Sequence, residues 1–212
     1  DAIPLLSHAI FYNGILVFTD DLCEQHIPFP MALQNVLKDP SGGQWAWIND
    51  LGSSVINGFG FFELGSPFFW ITYLCPAELV PYLLPWLFIL KYMCAAGISY
   101  CFFRIFLKNP NLALIGSILY AFSGFQTINL IFFVFHDVVA FFPLLLIGLE
   151  RLMRDNKKGL FIFAVFLNCI LNYFFFVMEV IFLVIYYCFR FWAKPKPFCK
   201  SAVKCFLCSL LG

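Results

Sequence analysis

The fold class is decided by the stretch Val80-Pro-Tyr-Leu-Leu-Pro-Trp-Leu-Phe-Ile-Leu-Lys91-Tyr-Met-Cys-Ala-Ala-Gly-Ile-Ser-Tyr-Cys-Phe-Phe-Arg104. Between its first residue and Arg104, Lys91 is the only charged side chain. A continuous apolar run of about 20 residues is what an α-helix needs to cross the hydrocarbon core of a bilayer. The stretch therefore predicts a membrane-spanning helix that carries one immersed cation.

The composition of the whole chain supports the same class. Apolar residues make up 62% of the 212 residues, charged residues make up 12%, and the mean hydropathy is +0.88. A soluble domain is about half apolar and about a quarter charged. Lipid must therefore be the solvent for much of this chain. The net charge of +1 offers no basic surface for nucleic acid.

Most basic residues fall into three clusters beside apolar stretches, and short basic loops stay on the cytoplasmic side of a membrane. If all three clusters share that side, each apolar stretch between them crosses an even number of times. The polar residues before Val80 then lie outside. The clusters are Arg104 and Lys108; Arg151, Arg154, Lys157 and Lys158; and Arg190, Lys194, Lys196, Lys200 and Lys204.

The predicted fold is an all-α polytopic membrane protein with a long external loop. Residues 1–18 are interpreted as the end of a truncated first membrane segment. Residues 19–79 are predicted to form an extracytoplasmic loop with short amphipathic helices that are interfacial or re-entrant. The remaining residues, 80–212, form the predicted transmembrane bundle, with helices at about 80–106, 110–131, 137–153, 159–173, 174–191 and a partial one at 198–212, and with helix breaks at Ser123-Gly124 and Asn172-Tyr173.

The external loop begins with a dense polar group, Asp20-Asp21-Leu-Cys-Glu24-Gln25-His26. Three carboxylates, an amide and an imidazole so close together can hold a divalent metal ion through oxygen ligands, or can supply a general base. The alternative is a solvated loop start, where acidic residues are common. The residues alone leave both interpretations open.

Polar residues within the predicted helices form a second group. Asp137 follows an outer turn and is predicted to cap the next helix, where the macrodipole stabilises an acid; His136 beside it donates to a phosphate or marks the interface. Lys91 and Glu179 both fall near mid-membrane, where a charge is costly and faces a partner or a cavity. Either each is the other's counter-ion, or Lys91 faces an anionic lipid head group.

Motifs recur in a fixed order over about residues 18–175. They are Asp21-Leu-x-x-Gln25-x-x-Pro28-Phe29, Trp47-Ile-Asn-Asp-Leu-Gly52, Gly65-Ser-Pro-Phe68, Leu90-Lys91, Tyr120-Ala-Phe-Ser-Gly124, Asp137, Pro143-Leu-Leu-Leu-Ile-Gly-Leu-Glu-Arg151 and Asn172-Tyr173. This series resembles the bacterial YfhO-type membrane proteins, which are similar to the GT-C superfamily of integral-membrane glycosyltransferases. Phe174-Phe-Phe176 departs from the resemblance, because the family often has glycine after Asn-Tyr.

The resemblance implies GT-C-like transmembrane helices and a glycosyltransferase of the bacterial plasma membrane. The donor would be a sugar on a polyprenyl-phosphate carrier, and the acceptor a teichoic acid or another envelope glycan at the outer face. A key acid is implied in the first external loop, where Asp21 matches and Asp20 is its neighbour. No cofactor is implied with certainty, and a divalent metal ion is left open. The predicted substrate-binding residues are Gln25, His26, Lys91, His136 and Asp137, with Lys38 as a further cation for the donor phosphate.

Two rival functions fit the same residues. A transporter or flippase for lipid-linked precursors would use Lys91, Glu179 and broken helices equally well. A non-catalytic envelope assembly factor would tolerate replacement of Asp21. The large acidic external loop favours the enzyme, because a transporter does not need it.

Overall fold

The computed structural model describes residues 22–39, 45–47 and 52–191. Within those ranges the chain is mostly helical, which confirms the predicted all-α class. Strand structure there is confined to β1 (Trp45–Ala46) and β2 (Ser53–Ser54), which pair antiparallel over two residues each.

Short helices make up the N-terminal segment, a name we use for described residues before Val80. Proline begins two of them, because its missing N–H is not needed in the first turn of a helix. Ser66 caps one by accepting a hydrogen bond from the Phe69 backbone N–H at 3.4 Å. The elements are a π-helical turn (Leu22–His26), α1 (Pro28–Lys38), α2 (Val55–Phe59), α3 (Pro67–Tyr73) and a 3-10 turn (Ala77–Leu79).

The longer helices follow, and the chain breaks between them at local signals. Asn172 is extended, with φ −163° and ψ 102°, and Ser123 is extended as well; both are positions where the sequence predicted a break. Asn156 ends a helix in the left-handed conformation at φ 61°, which asparagine tolerates better than most residues. These elements are α4 (Val80–Phe103), α5 (Pro110–Ala121), α6 (Gly124–Ile128), α7 (Phe135–Asp155), α8 (Gly159–Leu171) and α9 (Tyr173–Phe191).

Three helical stretches in the described part of the chain are long and apolar enough to cross a membrane. They are Ala77–Phe103, Pro110–Ile128 and Tyr173–Phe191. The shorter α8 has 13 residues, and α7 carries charges at both ends. The crossings that the sequence analysis assigned to α7 and α8 therefore remain predictions.

Small residues allow the central helices to approach closely, as is common in membranes. Ala95 of α4, Ala121 of α5 and Ala140 of α7 form one buried contact. Gly148 of α7 faces the backbone of α8, where a Cβ atom would lie 2.8 Å from the Phe161 Cα. The packing places the first turn of α7 beside the middle of α4.

Candidate functional site

A buried ion pair joins α4 to α7. The Lys91 Nζ lies 2.5 Å from the Asp137 Oδ1, and the Lys91 side chain has no exposed surface. The same ammonium donates to the Phe133 carbonyl at 2.8 Å and lies 3.0 Å from the centroid of the Phe133 ring. An acid, a carbonyl and an aromatic face together compensate a cation that could not otherwise be buried.

The predicted pairing of Lys91 with Glu179 is wrong. Lys91 faces α7, where Asp137 takes its charge. Glu179 lies on α9, close enough to Tyr120 of α5 to interact with it electrostatically. Glu179 is 6% exposed, and neither of its carboxyl oxygens has a hydrogen-bond partner among the described residues.

Asp137 also connects the bundle to the N-terminal segment. Its Oδ2 accepts a hydrogen bond from the Ser66 hydroxyl, while its Oδ1 faces Lys91. Asp137 does lie in the first turn of α7, and Val134 at the N-cap makes no side-chain hydrogen bond to the helix. The predicted position of the acid in the first turn of the helix is therefore confirmed, but its carboxylate oxygens contact tertiary partners.

Further polar side chains surround this ion pair, and we call His26, Glu63, Lys91, His136 and Asp137 the polar cluster. Each of its members is at most 2% exposed. The His136 Nε2 lies 3.0 Å from the Asn129 carbonyl oxygen. The His136 Nδ1, both His26 nitrogens and the Glu63 Oε1 have no hydrogen-bond partner among the described residues. Buried groups of this kind point to bound water or to a functional role.

Burial leaves two members of the cluster uncharged at neutral pH. It raises the pKa of Glu63 to about 8, with the nearby Lys91 charge acting in the opposite direction. Burial lowers the pKa of His26 to about 3, and the Lys91 charge adds to that effect. The polar cluster thus combines a neutral Glu63 and a neutral His26 with the compensated Lys91–Asp137 ion pair.

The predicted site residues fall into different parts of the molecule. Asp20 and Asp21 lie outside the described residues. Gln25 is half-buried in the π-helical turn. Lys38, at the end of α1, is exposed and donates to the Gln34 Oε1 at 3.0 Å and to the Cys75 carbonyl at 3.2 Å. The structure brings His26, Lys91, His136 and Asp137 together in the polar cluster.

No metal site is formed by the part of the chain that the structure describes. Within it, no three His, Cys, Asp or Glu side chains converge in a way that could hold a metal ion. A divalent ion on Asp20 and Asp21 would involve residues outside that part and remains a proposal.

Sequence reasoning missed two members of the site. Glu63 interrupts the apolar run Gly60-Phe-Phe-Glu63-Leu64. A single acidic residue among apolar neighbours indicates a buried carboxyl group that has a functional role. Ser66 lies within the motif Gly65-Ser-Pro-Phe68, where proline at the next position indicated only a helix start. Neither signal names the partner that the fold supplies.

Comparisons with known proteins place the chain in a family but match no solved structure. A family model described as bacterial membrane protein YfhO matches residues 2–212. An uncharacterized protein YfhO of Bacillus subtilis (strain 168) is 29% identical over 102 residues, covering 45% of this chain and 11% of that protein. The aligned part of the chain thus spans about a tenth of that relative's length. No solved structure is significantly similar to this chain.

Proposed function

The chain belongs to the YfhO family of bacterial membrane proteins, and from that membership we propose that it is part of a glycosyltransferase of the bacterial plasma membrane. The donor is a sugar on a polyprenyl-phosphate carrier, and the acceptor is an envelope glycan or teichoic-acid-type polymer on the outer face. The whole protein extends the transmembrane bundle in a GT-C-like arrangement.

The observation that supports this proposal best is the attachment of the N-terminal segment to the bundle. Asp21 directly precedes the π-helical turn Leu22–His26 in the sequence. The last residue of that turn, His26, is buried near Lys91. Ser66, later in the same segment, donates a hydrogen bond to Asp137. A carboxylate base needs such a rigid support, because small misplacements of a reacting group cost large factors in rate.

Asp21 acts as the general base in the proposed reaction. It takes the proton of an acceptor hydroxyl while that oxygen forms a bond to the anomeric carbon of the sugar. The bond between that carbon and the carrier phosphate breaks, and the polyprenyl phosphate leaves with the electron pair. The products are the glycosylated acceptor and the free carrier.

Lys38 is the cation best suited to the leaving phosphate. Its ammonium lies on the exposed end of α1 and makes two hydrogen bonds to oxygen acceptors. Lys91, in contrast, has no exposed surface, and Asp137 compensates its charge. His136 is also buried. We therefore assign phosphate neutralisation to Lys38, and to Lys91 and His136 the support of the segment that carries the base.

Replacement of Asp21 by asparagine tests the proposal in the whole protein. Asp21→Asn keeps the size of the side chain but removes most of its basicity, so glycan modification should fall by roughly 10²–10⁴-fold. Glu24→Gln is the matched control, because Glu24 is an exposed carboxylate of the neighbouring turn. Envelope-glycan analysis of cells that carry each variant, at equal protein yield, gives the readout.

Each outcome has a different meaning. Near-normal glycan with Asp21→Asn would contradict the role of Asp21 as base. Equal, severe and metal-dependent losses in Asp20→Asn and Asp21→Asn would indicate that the two carboxylates share a divalent ion.

A transporter of lipid-linked precursors is the second candidate, and Glu179 is the observation that favours it. A buried carboxyl without a described partner in a candidate membrane span is typical of a proton or substrate pathway. Glu179→Gln should block carrier translocation in proteoliposomes if the protein is a transporter. The same variant should leave glycosyl transfer intact if the protein is a transferase.

A further inference from the structure

An open apolar groove of about 690 Å³ lies between the N-terminal segment and the hairpin formed by α8 and α9. Ile56, Phe61 and Leu64 line one wall, and Ile170 and Tyr173 line the other. The groove is separate from the polar cluster, since none of the five cluster residues lines it. The same short stretch of chain thus faces the groove with Phe61 and Leu64 and the cluster with Glu63.

Backbone and side-chain contacts hold the two walls of this groove together. Gly65 lies so close to α8 that a Cβ atom there would clash with the Ile170 carbonyl oxygen. The Asn172 Nδ2 donates to the Phe61 carbonyl at 3.5 Å, and the Phe61 and Tyr173 rings meet edge to face with centroids 5.7 Å apart. The groove is therefore a formed feature of the fold and does not depend on mobile side chains at one wall.

The mouth of the groove is continuous with a surface that fits lipid. Tyr173 is 63% exposed and Val177 is 58% exposed on the same helix, α9, which is one of the candidate membrane spans. An exposed apolar face of this size on a membrane helix is solvated by hydrocarbon chains. Lipid chains that solvate this face of α9 therefore reach the groove where Tyr173 lines it.

The chemistry of the lining restricts the head group of that lipid. Among the described residues that line the groove, none is basic, and the polar groups are those of Asn57, Tyr173 and Cys169. A lipid with a net negative phosphate head prefers Lys or Arg near its phosphate. A zwitterionic or uncharged head group needs only hydrogen-bonding partners such as the Asn57 amide and the Tyr173 hydroxyl.

We propose that this groove binds one acyl chain of a zwitterionic bilayer phospholipid, which fills the space between the N-terminal segment and the α8–α9 hairpin. The bound chain supports the segment that carries the proposed base from the side opposite the polar cluster. The proposal does not rest on the proposed glycosyltransferase activity, because it uses only the groove and its surroundings.

Photolabelling of the whole protein in nanodiscs tests the proposal. The probe is phosphatidylethanolamine with a diazirine on one acyl chain, and peptide mapping locates the label. We expect label on residues 56–65 and 169–173. Bulky side chains in the groove, Ile56→Trp with Ile170→Trp, should reduce that label about tenfold, the order of magnitude expected when a site is overpacked. Ile185→Trp is the matched control, since Ile185 is an exposed apolar residue of α9 outside the groove.

The outcomes separate the occupants. Label in the groove that the double variant removes and the control retains supports the proposal, and Asp21→Asn should leave it unchanged. Equal label in the double variant and the control would overturn it. Displacement of the probe by a stoichiometric amount of polyprenyl monophosphate would also overturn it, because the groove would then belong to the carrier.

Discussion

The two ends of α7 each bury a carboxylate, and the two are stabilised in opposite ways. Near its C-terminal end, Glu150 accepts from the Tyr186 hydroxyl at 2.7 Å, and its oxygens lie 2.7 Å from the Arg154 Nε and 2.9 Å from the Arg190 Nε. The two arginine side chains are 42% and 39% exposed. At the N-terminal end, Asp137 pairs with a lysine that has no exposure at all.

The surroundings differ as much as the pairs do. Both arginines beside Glu150 also lie over the Phe106 ring, so that network combines two ion pairs with packing at a surface. The polar cluster around Asp137 keeps unpartnered atoms on His26, His136 and Glu63 among the described residues. Charges paired near a surface are sufficient for stability, whereas buried unpartnered groups are costly and persist where function needs them. The comparison therefore favours a stabilising role for Glu150 and supports the proposed role of the polar cluster in holding the N-terminal segment.

Loss of the Lys91 charge should have the largest effect on stability. Lys91→Met leaves Asp137 buried without compensation, which costs about 3–5 kcal/mol when one partner of a buried pair is removed. The double variant Lys91→Met with Asp137→Asn should recover most of the stability, because asparagine can still accept the Ser66 hydroxyl. Denaturant unfolding of the whole protein in detergent measures both.

The double variant also sharpens the comparison. Stability and glycan modification should return together, since the role proposed for Lys91 is to support the segment that carries the base. A double variant as unstable as Lys91→Met alone would show that the pair with Asp137 is not what stabilises Lys91.

Removal of the Glu150 charge should have a smaller effect. Glu150→Gln removes two ion pairs and weakens the hydrogen bond from Arg190, but both arginines can turn to water, so we expect a loss of about 1–2 kcal/mol. Glycan modification at equal protein yield should be unchanged. A collapse of activity in folded Glu150→Gln protein would remove the distinction between the two ends of α7.

The smallest effect concerns the pH dependence contributed by Glu63. Its pKa is raised from 4.5 to about 8 in the folded protein, so the folded state holds this proton more tightly than the unfolded state. The resulting stability is fully present below about pH 4.5 and is lost as the pH rises to about 8. Glu63→Gln mimics the protonated form and should flatten that slope.

Melting temperatures of the whole protein across this pH range provide the measurement. His26 is not expected to contribute to the slope of stability against pH above about pH 6.5. Its pKa is about 3 in the folded state and 6.5 in the unfolded state, so the imidazole is neutral in both states there. Identical slopes for the natural protein and Glu63→Gln would contradict the burial of a neutral Glu63.

Several features of this protein followed from the sequence by itself. The apolar stretch that contains Lys91 predicted a membrane helix, and Val80–Phe103 is a helix within a stretch long and apolar enough to cross a membrane. Ser123 and Asn172 predicted helix breaks, and the chain is extended at both. These features depend on length, hydropathy and local backbone preference, which adjacent residues set along the chain.

Only the tertiary structure decided which charges meet. The sequence offered Glu179 as the acid that pairs with Lys91, because both fall near mid-membrane, and hydropathy gave no sign that Asp137 is the partner. The packing of α4 against α7 brings Asp137 to Lys91 and leaves Glu179 beside Tyr120. The partners of Glu63 and Ser66 also depend on tertiary structure, because the N-terminal segment packs against Asp137 and brings both residues close to it. An ion pair forms between residues that are close in space, and distance in space is a property of the packed helices rather than of the order of residues.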